Sequence, residues 1–174
     1  MKGNIYTKTG DKLHTDLYDG TRVSKSSDRI EVLGNYDELI SSLSLAKNEI
    51  DDEYIKKDIE DLQKILFVFQ ADIAVNDNNK EKLKSEDVKK IEDKIDNMQE
   101  KLGKKDSFIL PGSNKKASYL HLSRAISRRA ERSLVRLAGH SFVSEVHLQF
   151  ANRISDFLFV YAYSQEDELI DPFK

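Results

Sequence analysis

Apolar residues recur at spacings of three and four along most of this sequence, and that spacing places them on one face of an α-helix. The clearest stripe lies in residues 53–76 and consists of Ile55, Ile59, Leu62, Leu66, Phe69 and Ile73. Only two prolines and seven glycines occur in 174 residues, so long helices are favoured over a turn-rich β fold. The pattern therefore predicts an all-α domain with one core.

Five helices joined by short loops are predicted, and such helices form an up-and-down bundle. Their expected bounds are residues 28–50, 53–76, 85–102, 114–137 and 144–164. Side chains suited to helix ends lie at these bounds, namely Ser27, Ser113 or Asn114, Gly139, Ser144 and the polar run 76–79. The third helix has a narrow apolar seam and a charged surface, so we assign it no function.

The whole chain is expected to be a single domain over residues 1–174. Residues 1–26 hold three glycines and many polar side chains, and we expect them to be irregular. Residues 27–166 would form the helical bundle, and residues 167–174 a C-terminal tail.

The bulk composition excludes several classes of protein. The net charge is −3, which does not suit a nucleic-acid-binding protein. Cysteine is absent, which removes disulfides, thiolate metal sites and thiol nucleophiles and agrees with a cytoplasmic location. No apolar run approaches the roughly 18 residues that span a bilayer, and the N-terminus has no signal-like apolar stretch. We expect neither a membrane nor a nucleic acid as partner.

One predicted helix carries an unusual concentration of positive charge. Residues 121–136 contain five arginines and a single acid, Glu131. Three of the arginines recur every four residues and share a face, namely Arg124, Arg128 and Arg132. His121 and Glu131 are expected on the same face. This row is either a solvated face, or a set of arginines paired with acids of neighbouring helices, or a binding site for an anion such as phosphate.

A second candidate site lies in the N-terminal segment 6–15. Gly10 allows a tight turn with converging N–H groups, and Lys8 adds positive charge. Asp11 is suited to hold a magnesium ion on a nucleotide. Hydroxyl groups come from Thr7, Thr9 and Thr15. The spacing is not that of a Walker A loop, and an ordinary polar N-terminal tail is the alternative.

Other polar residues complete this picture. Lys25 and Arg29 follow the segment, and Asp37 on the first helix is placed to pair with Arg124 or Arg128. Polar side chains also interrupt the apolar face of the fifth helix, namely Asn152, Arg153 and Asp156. Polar groups in such a face are either satisfied or functional. The chain has neither the Glu-x-x-His spacing of a diiron site nor a nucleophile elbow.

Taken together, these segments resemble the PduO-type ATP:cob(I)alamin adenosyltransferase (corrinoid adenosyltransferase) family. Four segments carry the resemblance: Tyr6-Thr-Lys-Thr-Gly-Asp11; Arg22-Val-Ser-Lys25 with Arg29-Ile-Glu31 and Asp37-Glu-Leu39; Phe108-Ile-Leu-Pro-Gly112 with the arginine helix; and Asn152-Arg-Ile-Ser-Asp156. They span nearly the whole chain in the family's order and spacing.

The resemblance implies a ferritin-like, cobalamin adenosyltransferase-like bundle that forms a homotrimer with active sites between subunits. It implies transfer of the 5′-deoxyadenosyl group of ATP to cob(I)alamin, with release of triphosphate. ATP, Mg²⁺ bound through the phosphates and cobalamin are the implied ligands, and a flavoprotein reductase is a further implied partner. The nucleophile would be the Co(I) of the substrate, so no side-chain nucleophile is required.

The resemblance also implies roles for individual residues. The ATP site would consist of Thr7, Lys8, Thr9, Gly10, Asp11, Thr15, Lys25, Arg128, Glu131, Arg132 and Asn152. The corrinoid side would contain Asp37, paired with Arg124 across a subunit boundary, and Phe108. The Phe108 ring would occupy the lower face of the corrin, displace the base ligand and give four-coordinate Co(II). Arg128, Phe108, Asp37 and Arg124 are therefore the predicted catalytic residues.

The sequence departs from the family pattern at three places. Leu13 replaces a usual glycine, Ile40 a usual asparagine, and Ser113-Asn114 a usual Gly-Ser pair. Leu13 occupies a position that favours glycine, which bears on ATP affinity. A non-catalytic paralogue that carries or senses corrinoid or nucleotide is therefore the alternative function. A basic-helix protein that binds nucleic acid is a third possibility, and the acidic total argues against it.

Overall fold

The computed structural model describes residue 6 and residues 8–75, 81–103 and 109–174. Within these residues five long helices form, as predicted: α1 (Asp28–Glu49), α2 (Glu53–Ile73), α3 (Ser85–Leu102), α4 (Lys115–Ala138) and α5 (Glu145–Ser164). Their bounds agree with the sequence prediction to within three residues. The polar run 76–79, expected to end the second helix, lies outside the described residues.

The bundle is ordered around α4, which packs against both α1 and α5. Two hydrogen bonds fix the register of α1 and α4: the hydroxyls of Ser42 and Ser123 are 2.9 Å apart, and His140 Nε2 is 2.7 Å from an Asp28 carboxylate oxygen. Because a later residue of α1 meets an earlier residue of α4, the two helices are antiparallel. The other neighbours are α2 against α1 and α3 against α5.

Aromatic rings fill the centre of the bundle. Phe69 of α2 is fully buried, and its ring centroid lies 4.4 Å from that of Tyr36 and 5.8 Å from that of Phe150. The predicted stripe of α2 supplies this contact, since its apolar residues are the ones that are buried. Among the described residues, no helix combines the length and the apolar character needed to cross a membrane.

The candidate caps behave differently from one another. Asn114 is the N-cap of α4, where its side-chain oxygen accepts a hydrogen bond from the N–H of Ala117 at 2.9 Å. Ser27 occupies the N-cap of α1 without a side-chain capping bond. Gly139 is the C-cap of α4 with φ of −66°, so it ends the helix without the left-handed conformation that favours glycine there.

The expectation of an irregular N-terminal segment is wrong for the described part of residues 1–26. A 3-10 turn (Thr9–Lys12) leads into an antiparallel hairpin of β1 (His14–Asp16) and β2 (Arg22–Ser24). The strands have three residues each, too few to show the alternation by which strands are recognised in sequence. Leu17 in the connection between the strands is buried.

Candidate active site

The N-terminal turn and Lys25 form one unit. The N–H of Lys25 donates to the carbonyl of Leu13 at 2.9 Å. A Cβ atom placed on Gly10 would lie 3.2 Å from the ammonium nitrogen of Lys25, so the absence of a side chain at Gly10 lets the cation approach the turn. The segment therefore presents backbone and a positive charge together, which is the composition of an anion site.

The turn is bounded by two residues in the left-handed conformation, Lys8 with φ of 60° and Leu13 with φ of 64°. Such φ values are unfavourable for residues with a Cβ atom and cost about 1–2 kcal/mol. The Leu13 side chain is 76% exposed, so packing does not offset this cost. Leu13 therefore replaces the family's usual glycine at a position whose backbone conformation favours glycine.

The remaining predicted residues of this segment differ in placement. Lys8 and Asp11 are exposed, and Thr15 is half-buried in β1 opposite Val23. Thr7 and the side chain of Thr9 lie outside the described residues. Arg29, which sequence reasoning grouped with Lys25, is buried and donates to the carbonyl of Ile73 at 2.6 Å, so it supports the end of α2.

The arginines of α4 fall into two groups. Arg129 forms an ion pair with Glu38 of α1, and Arg136 lies 3.3 Å from Glu31 of α1. In the part of the chain that the structure describes, no acidic partner contacts the three arginines of the predicted row, Arg124, Arg128 and Arg132. The interpretation that the arginines pair with acids of neighbouring helices therefore holds for Arg129 and Arg136 only.

Arg124 is the most constrained member of the row. Its side chain is half-buried, and its Nε atom is buried without a hydrogen-bond partner among the described residues. Burial, and after it the nearby charge of Arg128, lowers the pKa of Arg124. A desolvated guanidinium without a partner is costly, so this position favours an incoming anion.

A cavity of about 460 Å³ opens beside Arg124 and Arg128, between α3, α4 and α5, and Arg132 does not line it. Arg124 and Arg128 line it from α4, and its other polar walls include Glu92, Asp96, Arg153 and Asp156. The volume lies within the range of small-molecule sites. Sequence reasoning gave α3 no part in a site, because the charged surface of this helix looks like any solvated surface.

The polar residues of α5 do not interrupt the buried face, contrary to the sequence reading. Asn152 and Asp156 are exposed, and the buried side chains of this helix are other residues. Arg153 Nε donates to a Glu92 carboxylate oxygen at 2.8 Å, which links α5 to α3. Asn152 is thus free to face a ligand, and Arg153 holds one wall of the cavity.

Asp37 and Arg124 do not meet within one chain. Asp37 is exposed on α1, and within the described ranges neither residue has an ion-pair partner. In the antiparallel pair, Glu38 and Ser42 are among the α1 residues that contact α4, at Arg129 and Ser123 respectively. The pairing of Asp37 with Arg124 across a subunit boundary stays a prediction.

Glu131, predicted to belong to the ATP site, lies close to the buried Tyr36. It is half-buried, and Tyr36 of α1 is fully buried beside it, with a hydroxyl that has no hydrogen-bond partner among the described residues. Burial, and after it the charge of Glu131, raises the pKa of Tyr36. Ile40, the second departure from the family, packs in the apolar core.

His121 lies close enough to Arg124 for the charge of Arg124 to lower its pKa, after burial as the largest cause. It is buried, and its Nε2 atom lies 2.9 Å from a carboxylate oxygen of Glu166, so its hydrogen bond goes to the segment after α5 and not to a ligand. Sequence reasoning missed Glu166, since nothing in the acidic run 166–168 distinguishes one carboxylate from the next. Phe108 lies outside the described residues.

Comparison with known proteins gives one consistent family. The family model for cobalamin adenosyltransferase matches residues 5–165. The corrinoid adenosyltransferase PduO of Salmonella typhimurium is 38% identical over 94% of this chain and 50% of its own length, so the chain spans about half of that relative. The corrinoid adenosyltransferase of Bacillus subtilis is 39% identical, with 91% of this chain and 84% of the relative covered.

Solved structures agree. A phenylalanine-to-histidine variant of the PduO-type ATP:corrinoid adenosyltransferase from Lactobacillus reuteri, complexed with cobalamin and ATP, superposes with a TM-score of 0.87 at 32% identity and covers 97% of both chains. An arginine-to-lysine variant of that enzyme, complexed with ATP, gives a TM-score of 0.85 at 35% identity over 92% of this chain and 93% of the other. The chain described here therefore belongs to the cobalamin adenosyltransferase family.

Proposed function

We propose that this chain transfers the 5′-deoxyadenosyl group of ATP to the cobalt of cob(I)alamin, forming adenosylcobalamin and releasing triphosphate. Relatives named corrinoid adenosyltransferase, and neighbours solved with cobalamin and ATP, support this assignment. The observation that carries it is the division of the α4 arginines. Arg129 and Arg136 have acidic partners on α1, whereas Arg124, Arg128 and Arg132 are left for a ligand or a second chain.

The protein's task at the phosphates is electrostatic. A Co–C bond forms as the bond between the 5′-carbon and its oxygen breaks, and the bonding electrons leave with triphosphate. Lys25 and Arg128 would stabilise the charge that accumulates on this leaving group. The N-terminal turn around Gly10 would supply N–H groups, and Asp11 is the carboxylate available to a magnesium ion held through the phosphates.

Other residues would orient the nucleotide. Arg132 suits a second phosphate contact because its guanidinium forms bidentate hydrogen bonds. Glu131 and Asn152 offer an acceptor and an amide to the nucleoside. Holding the 5′-carbon in line with cobalt removes the entropy that the two substrates would otherwise lose in the transition state.

The corrinoid side of the site would lie between subunits of a homotrimer. Asp37 is exposed and Arg124 half-buried, and their opposite charges have no ion-pair partners among the described residues, so the two side chains are available to pair with each other. Phe108 would cover the lower face of the corrin. A reductase partner follows from the need for Co(I), and the cysteine-free sequence agrees with the cytoplasm as location.

The experiment is direct. The purified protein is incubated with Mg-ATP and chemically reduced cobalamin without oxygen, and the absorption spectrum is followed. Conversion of the cob(I)alamin spectrum to that of adenosylcobalamin, dependent on both protein and ATP, is expected. Binding of either substrate without conversion would instead support a non-catalytic carrier or sensor. The left-handed backbone of Leu13, where the family usually has glycine, is the reason for considering this alternative.

A further inference from the structure

The cavity between α3, α4 and α5 has charges of both signs on its walls. Arg124 and Arg128 line it from α4, and two acids, Glu92 and Asp96, line it from α3. A third acid, Asp156, lines it from α5. Opposite charges within a cavity of about 460 Å³ attract one another strongly. The three acids therefore compete with any incoming anion for the two arginines.

Arg153 of α5 binds two of these acids and lines the same cavity. Its Nε atom donates to a Glu92 carboxylate oxygen at 2.8 Å, and its Nη1 atom lies 3.6 Å from a carboxylate oxygen of Asp156. The side chains of Arg153 and Glu92 are 34% and 36% exposed, so water and salt screen their attraction only in part. Glu92 and Asp156 are thus held by a cation that belongs to neither position of the arginine row.

The remaining charges of the cavity walls leave the row unpaired as well. Lys89 of α3 pairs with Asp93 at 2.8 Å. Asp96 is exposed, where solvent screens its charge. Among the residues that the structure describes, neither Arg124 nor Arg128 has an acidic ion-pair partner. The two arginines therefore share a cavity with three acids and pair with none of them.

We propose that Arg153 is a positioning residue that keeps Glu92 and Asp156 away from the arginines of α4. The arginines thereby remain available to a polyphosphate anion. This inference rests on the proposed function, in which Arg128 stabilises the triphosphate that leaves ATP. Arg153 acts through the two acids and does not itself contact the phosphates, because its donors are directed at the carboxylates.

Charge distinguishes this role from two others, a direct contact of Arg153 with the anion and a purely structural link between α3 and α5. Loss of Arg153 leaves Glu92 and Asp156 without their cation in all three cases. Additional loss of the Glu92 carboxylate removes the competing charge, so it restores anion binding only if Arg153 acts by holding that acid. A direct contact or a structural link is not restored by removing its second partner.

The test measures binding of inorganic triphosphate to the purified protein by titration calorimetry at low salt. Arg153→Gln should raise the Kd about tenfold, because the two acids then repel the anion at short range. Glu92→Gln should bind at least as tightly as the unaltered protein. The double variant with both substitutions should recover most of the lost affinity. Arg153→Lys, which keeps the charge, should bind nearly as the unaltered protein does.

Arg136→Gln is the matched control. Arg136 lies 3.3 Å from Glu31 and 3.8 Å from Asp28, so its loss also removes one positive charge and leaves two acids without a cation. It is not among the described residues that line the cavity. Its Kd for triphosphate should change less than about twofold, since salt and water screen the more distant charges. Thermal unfolding of each variant verifies that it is folded.

Four results would overturn the proposal. An unchanged Kd in Arg153→Gln would show that the acids do not compete for the arginines. Weaker binding in Glu92→Gln, or no recovery in the double variant, would show a structural link or a direct contact. Absence of triphosphate binding by the unaltered protein would show that the arginines hold no such anion.

The outcome for the proposed function is read separately, from the conversion of cob(I)alamin by the unaltered protein. If no adenosylcobalamin forms while the triphosphate series behaves as expected, the proposed function fails and the role of Arg153 stands. If adenosylcobalamin forms while Arg153→Gln binds triphosphate normally, the role of Arg153 fails and the proposed function stands.

Discussion

Arg129 of α4 forms an ion pair with Glu38 of α1, and this contact distinguishes Arg129 from its sequence neighbour Arg128. Arg128, one position earlier, is exposed and has no acidic partner in the part of the chain that the structure describes. Two residues with the same chemistry therefore have different environments, one structural and one open to a ligand. The contrast provides a matched pair of variants.

We expect Arg128→Ala to lower kcat about 100-fold or more, the range seen when a single donor to a developing anion is removed. Its unfolding temperature should hardly change, because the side chain is exposed and unpaired. Arg129→Ala should keep its activity and lose at most about 1 kcal/mol of stability, since its ion pair is half-exposed and screened. Steady-state kinetics and thermal unfolding of both variants check this, and similar activities in the two would exclude the assigned role of Arg128.

Leu13→Gly should tighten the binding of Mg-ATP. The left-handed backbone at this position costs leucine about 1–2 kcal/mol that glycine avoids, so the phosphate-binding turn becomes easier to form. The KM for Mg-ATP should fall several-fold, with kcat unchanged. Lys12→Gly is the control, since Lys12 lies inside the 3-10 turn and is not among the residues with positive φ. A higher KM for Leu13→Gly would show that the leucine side chain itself serves the site.

The proposed pairing of Asp37 with Arg124 across a subunit boundary makes a complementation experiment possible. Asp37→Ala and Arg124→Ala should each be nearly inactive. When the two variants are unfolded and refolded together, some boundaries combine an intact Asp37 with an intact Arg124, so activity should return. The double variant refolded with Asp37→Ala cannot form such a boundary and is the control. Failure to regain activity in the first mixture would rule out the shared site.

Stability should fall as the pH is lowered from 7.5 to 5. His121 and His147 are buried, and burial lowers the pKa of each below the ordinary value of 6.5. Below pH 6.5 the unfolded chain therefore binds protons that the folded chain does not, and the free energy of unfolding decreases with falling pH. Thermal unfolding at several pH values measures this slope. His147→Gln should show a shallower slope, and an identical slope would contradict the assignment.

The helices of this protein could be predicted because their signal is local. The stripe from Ile55 to Ile73 is visible in the sequence, and the same residues are buried in α2. The hairpin of β1 and β2 could not be predicted, because its strands are too short for a periodic signal and its entry depends on Leu13, a residue that gives no hint of a left-handed backbone.

The candidate site could be predicted only in outline. The row of Arg124, Arg128 and Arg132 follows from helical spacing alone. Which arginines remain without a partner depends on the register of α1 against α4, and the Glu38–Arg129 pair joins residues 91 positions apart. The burial of His121 against Glu166 is likewise a tertiary contact, so the sequence offered no means of predicting that partner.

The central claim is that the arginine row and the N-terminal turn bind the same triphosphate. A crystal of the protein soaked with Mg-ATP tests it most directly. We predict triphosphate oxygens within hydrogen-bonding distance of both the Lys25 ammonium group and the Arg128 guanidinium group. Density for the triphosphate away from either residue would contradict the account.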